Sequence, residues 1–245
     1  MEKENKVEFK VYGKYALFTD PLTKLGGEKC SYHIPTYEAL KGVLSSVYWK
    51  PTIIWIIDRV RVIKHIRTQT RSAKPIEYRG GNSLAIYTYL ADVEYQVQAH
   101  FEWNNRRHDL KKDQNENKHH CVTKRMIEKG GRRDIFLGAR ECQAYVEPCR
   151  FGEGKGDYDD YGEIAFDLMF HGFYYPDELP EEFGKDKLYA RFWRPKMVNG
   201  KIDFVRPEEC TIRKVIRNMK ANPPASVGLD EEGLLEGCEG MEVVK

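Results

Sequence analysis

The chain lacks the long apolar runs of membrane proteins and an apolar leader. Its longest strongly apolar run is TIIWII at residues 52–57, whereas a membrane-spanning helix needs roughly 20 apolar residues. The first ten residues, MEKENKVEFK, are charged and have no apolar core of a secretory signal. We therefore expect a cytoplasmic protein with no membrane partner.

The cysteines lack the spacing of a metal site or of a disulfide framework. No C-x-x-C pair occurs, so reduced thiols are the simplest interpretation. The adjacent histidines at 119 and 120 are accompanied by neither paired carboxylates nor a His-x₃-His spacing. The sequence therefore predicts no metal and no other cofactor. The six cysteines are Cys30, Cys121, Cys142, Cys149, Cys210 and Cys238.

Charge is plentiful but unevenly distributed. The formal net charge of +2 combines a net −5 in residues 221–245 with a net +7 in the remaining 220 residues. Residues 104–133 alone hold ten Lys and Arg against four Asp and Glu. A basic body with such a basic segment favours a polyanionic partner, most often nucleic acid, although a solvated charged loop has the same composition.

Hydrophobic periodicity predicts six elements in the first 150 residues. Their order is strand, helix, strand, strand, helix, strand, which is the βαββαβ pattern of the ferredoxin-like fold. We therefore predict an α+β protein with a fold that RNA binders of the RRM type share. The predicted elements cover residues 6–12, 36–49, 52–64, 91–103, 118–129 and 141–149.

The rest of the chain predicts a second, smaller unit. Short β-prone pieces around residues 164–173, 187–194 and 201–206 are separated by turns rich in Gly, Pro and Asp. We expect a ferredoxin-like domain at residues 1–150, a β-sheet domain at 151–220 and a flexible acidic tail at 221–245.

The stretch NENKHHCVTKR begins the second predicted helix with cations. If Asn117 is its N-cap, then Lys118, His119 and His120 lie in the first turn, where positive charge is unfavourable unless an anion binds. A His and a Lys can assist attack of an RNA 2′-hydroxyl on its own phosphodiester without metal. A solvated basic helix start stays open as the alternative.

More cations follow along the same helix. Lys118, Arg125 and Lys129 fall within about 40° of one another at 100° per residue. Arg132 and Arg133 extend the basic surface past Gly130-Gly131, or structure a loop by pairing with Asp134 or Glu141. If these side chains form one basic surface, we expect it to hold a phosphodiester backbone along one side of the helix.

Three blocks of the sequence resemble a known family. These are YALFTDPLTKLGGEKCSYHIPTYEALKGVLSSVYWKPT, PIEYRGGNSLAIYTYLADVEYQVQAHFEW and GGRRDIFLGARECQAYVEPCRFG, and the similarity runs from about residue 7 to residue 215. The chain resembles the CRISPR-associated Cas-five family, and within it the subtype I-C (Dvulg-type) branch, Cas-five-d. The resemblance implies a RAMP-type protein with a ferredoxin-like domain and a β-sheet extension.

The resemblance also implies an activity. Members of this branch are metal-independent endoribonucleases that cut precursor CRISPR RNA in the repeat, leaving a 2′,3′-cyclic phosphate and a 5′-hydroxyl. They recognise the repeat hairpin and then stay on the 5′ handle of the mature RNA, with the other subunits of the type I-C interference complex. DNA is a further candidate partner. The alternative is a non-catalytic subunit that only holds the handle.

The proposed catalytic set of that branch has matching residues here. Tyr48 stands in SVYWKPT, and Lys118 and His119 stand in NKHHC. The resemblance implies His119 as general base or acid, Lys118 as the group that stabilises the phosphorane, and Tyr48 as a base or orienting group. His120 directly follows and could share or take the role of His119.

Glycine loops supply further candidate RNA-binding residues. The loop LTKLGGEK at residues 22–29 contains Lys24 and Lys29. In KPIEYRGGN, Arg79 precedes Gly80-Gly81, although a Gly-Gly pair is more often just a turn. We assign Trp49, Trp55 and Trp103 to the core.

Overall fold

The computed structural model describes residues 5–24, 27–75, 78, 80–81, 83–176, 178 and 186–220. In this part, the α-helices are α1 Pro21–Lys24, α2 Tyr37–Val47 and α3 Glu116–Glu128. The strands are β1 Val7–Ala16, β2 Lys29–Cys30, β3 Ile53–Val62, β4 Thr68–Ala73, β5 Ala85–Trp103, β6 Ile135–Phe136, β7 Gln143–Pro148, β8 Glu163–Ala165, β9 Met169–Tyr174, β10 Lys187–Trp193, β11 Lys196–Val198, β12 Lys201–Asp203 and β13 Ile212–Asn218.

A large, mainly antiparallel sheet organises the chain. Its order is β6-β7-β1-β5-β3-β12-β11-β8, and β2 and β4 also pair with β5. The four strands predicted for the βαββαβ unit are β1, β3, β5 and β7, and they are direct neighbours in the order β7-β1-β5-β3. This is the antiparallel arrangement expected when two helical crossovers separate the strand pairs, so the α+β, ferredoxin-like prediction is confirmed.

Helix α2 packs on this sheet for reasons visible in its sequence. The Thr36 hydroxyl caps its N-terminus by accepting the backbone N–H of Ala39 at 3.2 Å. Its buried residues recur at helical spacing and face β3. These are Tyr37, Leu40, Val43, Leu44 and Val47. The predicted helix at 36–49 is confirmed, and it ends at Val47.

Helix α3 starts two residues earlier than predicted. Its N-cap is Asn115, whose side-chain oxygen accepts the backbone N–H of Lys118 at 3.0 Å, so the assignment of Asn117 as the cap is wrong. The buried face of the helix carries His119, Thr123 and Ile127, at i, i+4 and i+8. His119 therefore points into the protein.

The polar strand β4 is an element that the sequence did not predict. Its six residues, TQTRSA, are all exposed and show no alternation of apolar and polar side chains. It forms because it pairs with the first part of β5, from Ala85 to Leu90. The predicted strand at 91–103 is thus the second part of a strand of 19 residues.

The second half of the chain contributes to two sheets. Strands β8, β11 and β12 extend the large sheet through the pairing of β12 with β3. Strands β9, β10 and β13 form a separate three-stranded sheet. The division at residues 150 and 220 stays a prediction, and residues 221–245 lie outside the described part. No helix of the described part is long and apolar enough to span a membrane.

A histidine in β9 makes the stability of the fold depend on pH. His171 is fully buried, its ring stacks on Tyr37 at 4.3 Å between centroids, and its Nε2 lies 3.0 Å from the carbonyl of Val205. Burial, followed by the charge of Arg191, lowers the pKa of His171 from 6.5 to about 3. The unfolded chain therefore takes up this proton first as the pH falls.

Acidification should consequently destabilise the protein through His171. Between pH 6.5 and pH 3 the free energy of unfolding falls by up to about 1.4 kcal/mol per pH unit from this group. We expect His171→Phe to lose less of its free energy of unfolding than the wild type between pH 7 and pH 5, measured by urea denaturation. The exposed His33, changed to Gln, is the control. Equal losses in the wild type and His171→Phe would contradict the expectation.

Candidate active site

The end of helix α2 brings Tyr48 against helix α3. Tyr48 is the C-cap of α2, with extended backbone angles and its N–H bonded to the carbonyl of Leu44. Its hydroxyl oxygen lies 2.8 Å from Nδ1 of His119, which is 71 residues away in the chain. Two of the three candidate catalytic residues are therefore in direct contact.

The other ring nitrogen of His119 fixes the direction of this hydrogen bond. Nε2 of His119 lies 2.7 Å from the backbone carbonyl of Asp113. A carbonyl can only accept, so Nε2 carries the hydrogen and Nδ1 accepts from Tyr48 when the ring is neutral. The ring is fully buried, edge-on to Phe101 and Trp103. His119 is thus held in one orientation behind Tyr48.

The third candidate, Lys118, is held by the same aspartate. Its ammonium donates to Oδ1 of Asp113, and the Thr52 hydroxyl donates to Oδ2 at 2.9 Å. The bond to Lys118 lowers the pKa of Asp113, and in turn the pKa of Lys118 is raised, first by that bond. The Lys118 side chain keeps 52% of its surface exposed. Lys118 is therefore a cation at the surface beside the buried pair.

Tyr48 is a neutral phenol in this setting. Burial raises its pKa most, the charge of Asp113 raises it further, and the cations Lys118 and Arg132 lower it. The net direction is upward, so a nearby lysine does not turn Tyr48 into a phenolate near neutral pH. Asp113, which connects Lys118 and His119, is the member of the cluster that sequence reasoning missed.

The structure also distinguishes the two adjacent histidines. Nε2 of His120 lies 3.0 Å from the backbone carbonyl of Lys6, at the start of β1. His120 thus faces the first strand, whereas His119 faces Tyr48. Their side chains diverge because neighbouring residues on a helix point about 100° apart.

A basic groove adjoins Tyr48. Its volume is about 490 Å³, and it lies between the end of α2 and the loop after α3. The backbone N–H groups of Arg132 and Arg133 both donate to the carbonyl of Ser46, at 3.3 and 3.1 Å, which fixes this loop. The side chains that line the groove are Ser45, Trp49, Lys50, Pro51, Arg132 and Arg133.

Both arginines of the groove are exposed. Among the described residues neither forms an ion pair with Asp134 or Glu141, the loop-structuring alternative considered from the sequence. Trp49 is 45% exposed, so its assignment to the core is wrong, whereas Trp55 is buried. Helix α2 ends at Val47 and the backbone of Tyr48 is extended, so Trp49 lies outside the helix.

The other predicted RNA-binding residues are spread over the surface. Arg125 and Lys129 are exposed on and just after α3. Lys29 lies in β2, with its ammonium 4.9 Å from the ring centroid of Tyr87. Arg79 and the side chain of Lys24 lie outside the described part. Within the described residues, no three His, Cys, Asp or Glu side chains form a group that could hold a metal ion.

The comparison with protein families decides the identity of this fold. The family model described as CRISPR-associated protein (Cas_Cas5), of the Cas5d type, matches residues 7–205. The chain belongs to this family. The matched range contains the Tyr48–His119 pair, Lys118, Asp113 and the whole basic groove.

Known Cas5d proteins and solved structures are similar to this chain. The CRISPR pre-crRNA endoribonuclease Cas5d of Mannheimia succiniciproducens is 29% identical in an alignment of 168 positions. The match covers 59% of this chain and 67% of the relative. The enzyme of the same name from Thermus thermophilus is 28% identical in an alignment of 176 positions, and the match covers 67% of this chain and 74% of the relative.

Two solved structures share the fold. One, described as a CRISPR-associated protein, has a TM-score of 0.70 and 34% identity. The other, a functionally uncharacterized protein from Streptococcus mutans, has a TM-score of 0.67 and 35% identity. Each comparison covers 85% of this chain and 96% of the solved chain. The Cas5 fold therefore extends over most of the chain.

Proposed function

We propose that this chain is a metal-independent endoribonuclease that cleaves precursor CRISPR RNA within the repeat. The observation that carries the proposal is the hydrogen-bond chain from Tyr48 through His119 to Asp113, with Lys118 beside it and a basic groove next to it. Both named Cas5d relatives are pre-crRNA endoribonucleases, which supports the same substrate class.

The burial of His119 suggests how the proton of the 2′-hydroxyl is removed. His119 lies behind Tyr48, so the tyrosine oxygen takes the proton of the attacking hydroxyl while its own proton passes to Nδ1 of His119. The imidazolium that forms lies 3.5 Å from the Asp113 carboxylate, which stabilises it. Tyr48 therefore never has to ionise, which agrees with its raised pKa.

Lys118 stabilises the phosphate group during cleavage. When RNA binds, its ammonium leaves Asp113 and offsets the negative charge that develops on the phosphorane. The 2′-oxygen forms the new bond to phosphorus as the bond to the 5′-oxygen breaks, and the leaving oxygen takes a proton from water. The products are a 2′,3′-cyclic phosphate and a 5′-hydroxyl. His119 then returns its proton to solvent through Tyr48.

The basic groove positions the strand for this step. Lys50, Arg132 and Arg133 supply positive charge for the phosphates that flank the cleaved bond, and the exposed ring of Trp49 offers a stacking surface for a base. After cleavage the chain stays on the 5′ handle, as a subunit of the type I-C complex in the cytoplasm. DNA is a further partner in this proposal.

One observation favours the alternative function, a subunit that binds the handle without cutting. His119 exposes no surface, so it cannot touch RNA in this conformation. The EDTA cleavage assay with the all-RNA substrate separates the two functions. A repeat RNA with a single 2′-deoxynucleotide at the cleaved position then tests whether the 2′-hydroxyl is the nucleophile. We expect it to bind as tightly as the all-RNA substrate and to remain uncut. Cutting of this RNA, or all-RNA products that end in a 5′-phosphate, would contradict attack by the 2′-hydroxyl.

Trp49 should contribute to binding without supporting the fold. We expect Trp49→Ala to weaken binding of the uncut 2′-deoxy RNA about tenfold, because stacking of one base contributes about 1–3 kcal/mol. Tyr161 is 62% exposed and does not line the groove, so Tyr161→Ala is the control. If Trp49→Ala and Tyr161→Ala bound the 2′-deoxy RNA with equal affinity in a filter-binding titration, Trp49 would not contact the RNA.

A further inference from the structure

A row of aromatic and cationic side chains crosses three strands away from the groove. Strands β2 and β4 lie on opposite sides of β5, and the register sets both Lys29 and Arg71 directly opposite Tyr87. Directly paired residues of neighbouring strands point to the same face of a sheet. One face of this three-stranded segment therefore presents a cation, a tyrosine and a second cation.

Two more tyrosines extend the row. The Tyr89 ring lies 6.4 Å from Tyr87 and 5.8 Å from Tyr15, measured between centroids. The ammonium of Lys29 lies 4.9 Å from the Tyr87 ring, and the guanidinium of Arg71 lies 5.0 Å from the Tyr15 ring. Such contacts orient a cation without neutralising it.

The two cations keep their charge available to a ligand. In the described part of the chain, neither Lys29 nor Arg71 forms an ion pair with a carboxylate. The acid at the edge of the row is Glu141, which accepts a long hydrogen bond of 3.4 Å from the Tyr89 hydroxyl. Arg71 is exposed on β4, and Tyr87 and Tyr15 are partly exposed. The row thus combines positive charge with accessible ring surface.

We infer that Lys29, Arg71, Tyr15 and Tyr87 form a second binding surface, for single-stranded RNA, separate from the cleavage groove. The buried Tyr89 ring lies between the two accessible tyrosines and supports them. Unpaired bases can stack on aromatic rings, whereas the bases of an A-form duplex are hidden, and the cations fit the intervening phosphates. Tyr87 and Trp103, the neighbour of His119, are 16 residues apart in the same strand β5, a span of roughly 50 Å in an extended strand. This surface holds the part of the RNA that lies outside the cleaved site. This role rests on the proposed function, because it presupposes that the chain cleaves RNA.

Binding of an unstructured single-stranded RNA without repeat sequence tests the inference. For the full chain carrying Lys29→Ala and Arg71→Ala, we expect about tenfold weaker binding and a salt dependence shallower by about 1.4 in log–log slope, since each phosphate contact contributes about 0.7. Lys214→Ala with Arg217→Ala, on the exposed strand β13, removes the same charge elsewhere and should bind like the wild type. Tyr87→Leu should weaken binding about fivefold or more through lost stacking.

Three outcomes would overturn the inference. Equal losses in the two double variants would assign the effect to overall charge, and unchanged binding by Tyr87→Leu would exclude stacking. The same titration is repeated with duplex DNA. If the variants lost affinity for duplex DNA and kept their affinity for single-stranded RNA, the row would be a DNA-binding surface. Thermal unfolding checks each variant, and Arg71→Ala alone serves if the double variant does not fold. The assay needs no cleavage, so binding through this row by a chain that never cuts repeat RNA would refute only the proposed function.

Discussion

His119→Ala is expected to slow cleavage of the cognate repeat RNA by about a hundred- to ten-thousandfold, the usual contribution of a general acid or base. The variant loses the acceptor for the Tyr48 proton, so the 2′-hydroxyl has no route for its own proton. Its affinity for RNA should change little, because His119 exposes no surface that RNA could touch. Single-turnover cleavage with enzyme in excess measures the rate apart from binding.

The neighbouring histidine provides a matched control. His120→Ala removes the same side chain one position further along α3, and its imidazole contacts the carbonyl of Lys6 instead of Tyr48. We expect it to cut at nearly the wild-type rate. If His120→Ala were the slow variant and His119→Ala the fast one, the assignment of the two histidines would be reversed.

The full burial of His119 calls for a second substitution that preserves folding. His119→Gln keeps a side-chain amide that can donate to the Asp113 carbonyl and accept from Tyr48, but an amide does not take up a proton near neutral pH. It should fold at least as well as His119→Ala and remain as slow. A fast His119→Gln enzyme would show that the ring only supports the structure.

Tyr48→Phe is expected to slow cleavage by a similar factor, about a hundred- to ten-thousandfold, through the loss of one hydroxyl. The ring and its packing stay, and the unpaired Nδ1 of His119 should reduce the free energy of unfolding by only about 1 kcal/mol. The cleavage rate and the urea midpoint, measured on the same preparation, separate the two effects.

Tyr12→Phe is the control for this substitution. It removes a hydroxyl that donates to Glu147 on the neighbouring strand β7 instead of to His119. We expect it to cut normally. A Tyr48→Phe enzyme that cuts as fast as Tyr12→Phe would mean that Tyr48 contributes packing alone, and His119 would then need another route to the RNA.

The helical spacing and the cap made α2 predictable, and the order of the elements determined the ferredoxin-like arrangement. These are local signals: Thr36 before an amphipathic run, and the alternation in residues 91–103. Strand β4 gave no such signal, because its polar residues are specified only by their pairing with β5. The local order of apolar and polar residues does not predict such a pairing, because strand formation depends on the neighbouring strand.

In the candidate site, too, some features were predictable from the sequence and others depend on long-range contacts. Tyr48, Lys118 and His119 were expected from the resemblance, but the role of Asp113 depends on a 3₁₀ turn at residues 108–113 that carries its carbonyl to His119. Asn115 and Asn117 are equally plausible N-caps by residue type, and the structure shows that Asn115 accepts the N–H of Lys118. The burial of His119 with Thr123 and Ile127 depends on packing against the rest of the fold. Such packing is not visible in the charge pattern of NENKHHCVTKR.

Cleavage of the cognate repeat RNA in the presence of EDTA tests the central claim most directly. The wild type should cut at an undiminished rate and leave a 2′,3′-cyclic phosphate and a 5′-hydroxyl, while Tyr48→Phe and His119→Gln bind the RNA and leave it intact. A wild-type protein that cuts only after Mg²⁺ is added would contradict the metal-free mechanism. A folded wild type that binds the repeat and never cuts it would show that the chain is a handle-binding subunit and not a nuclease.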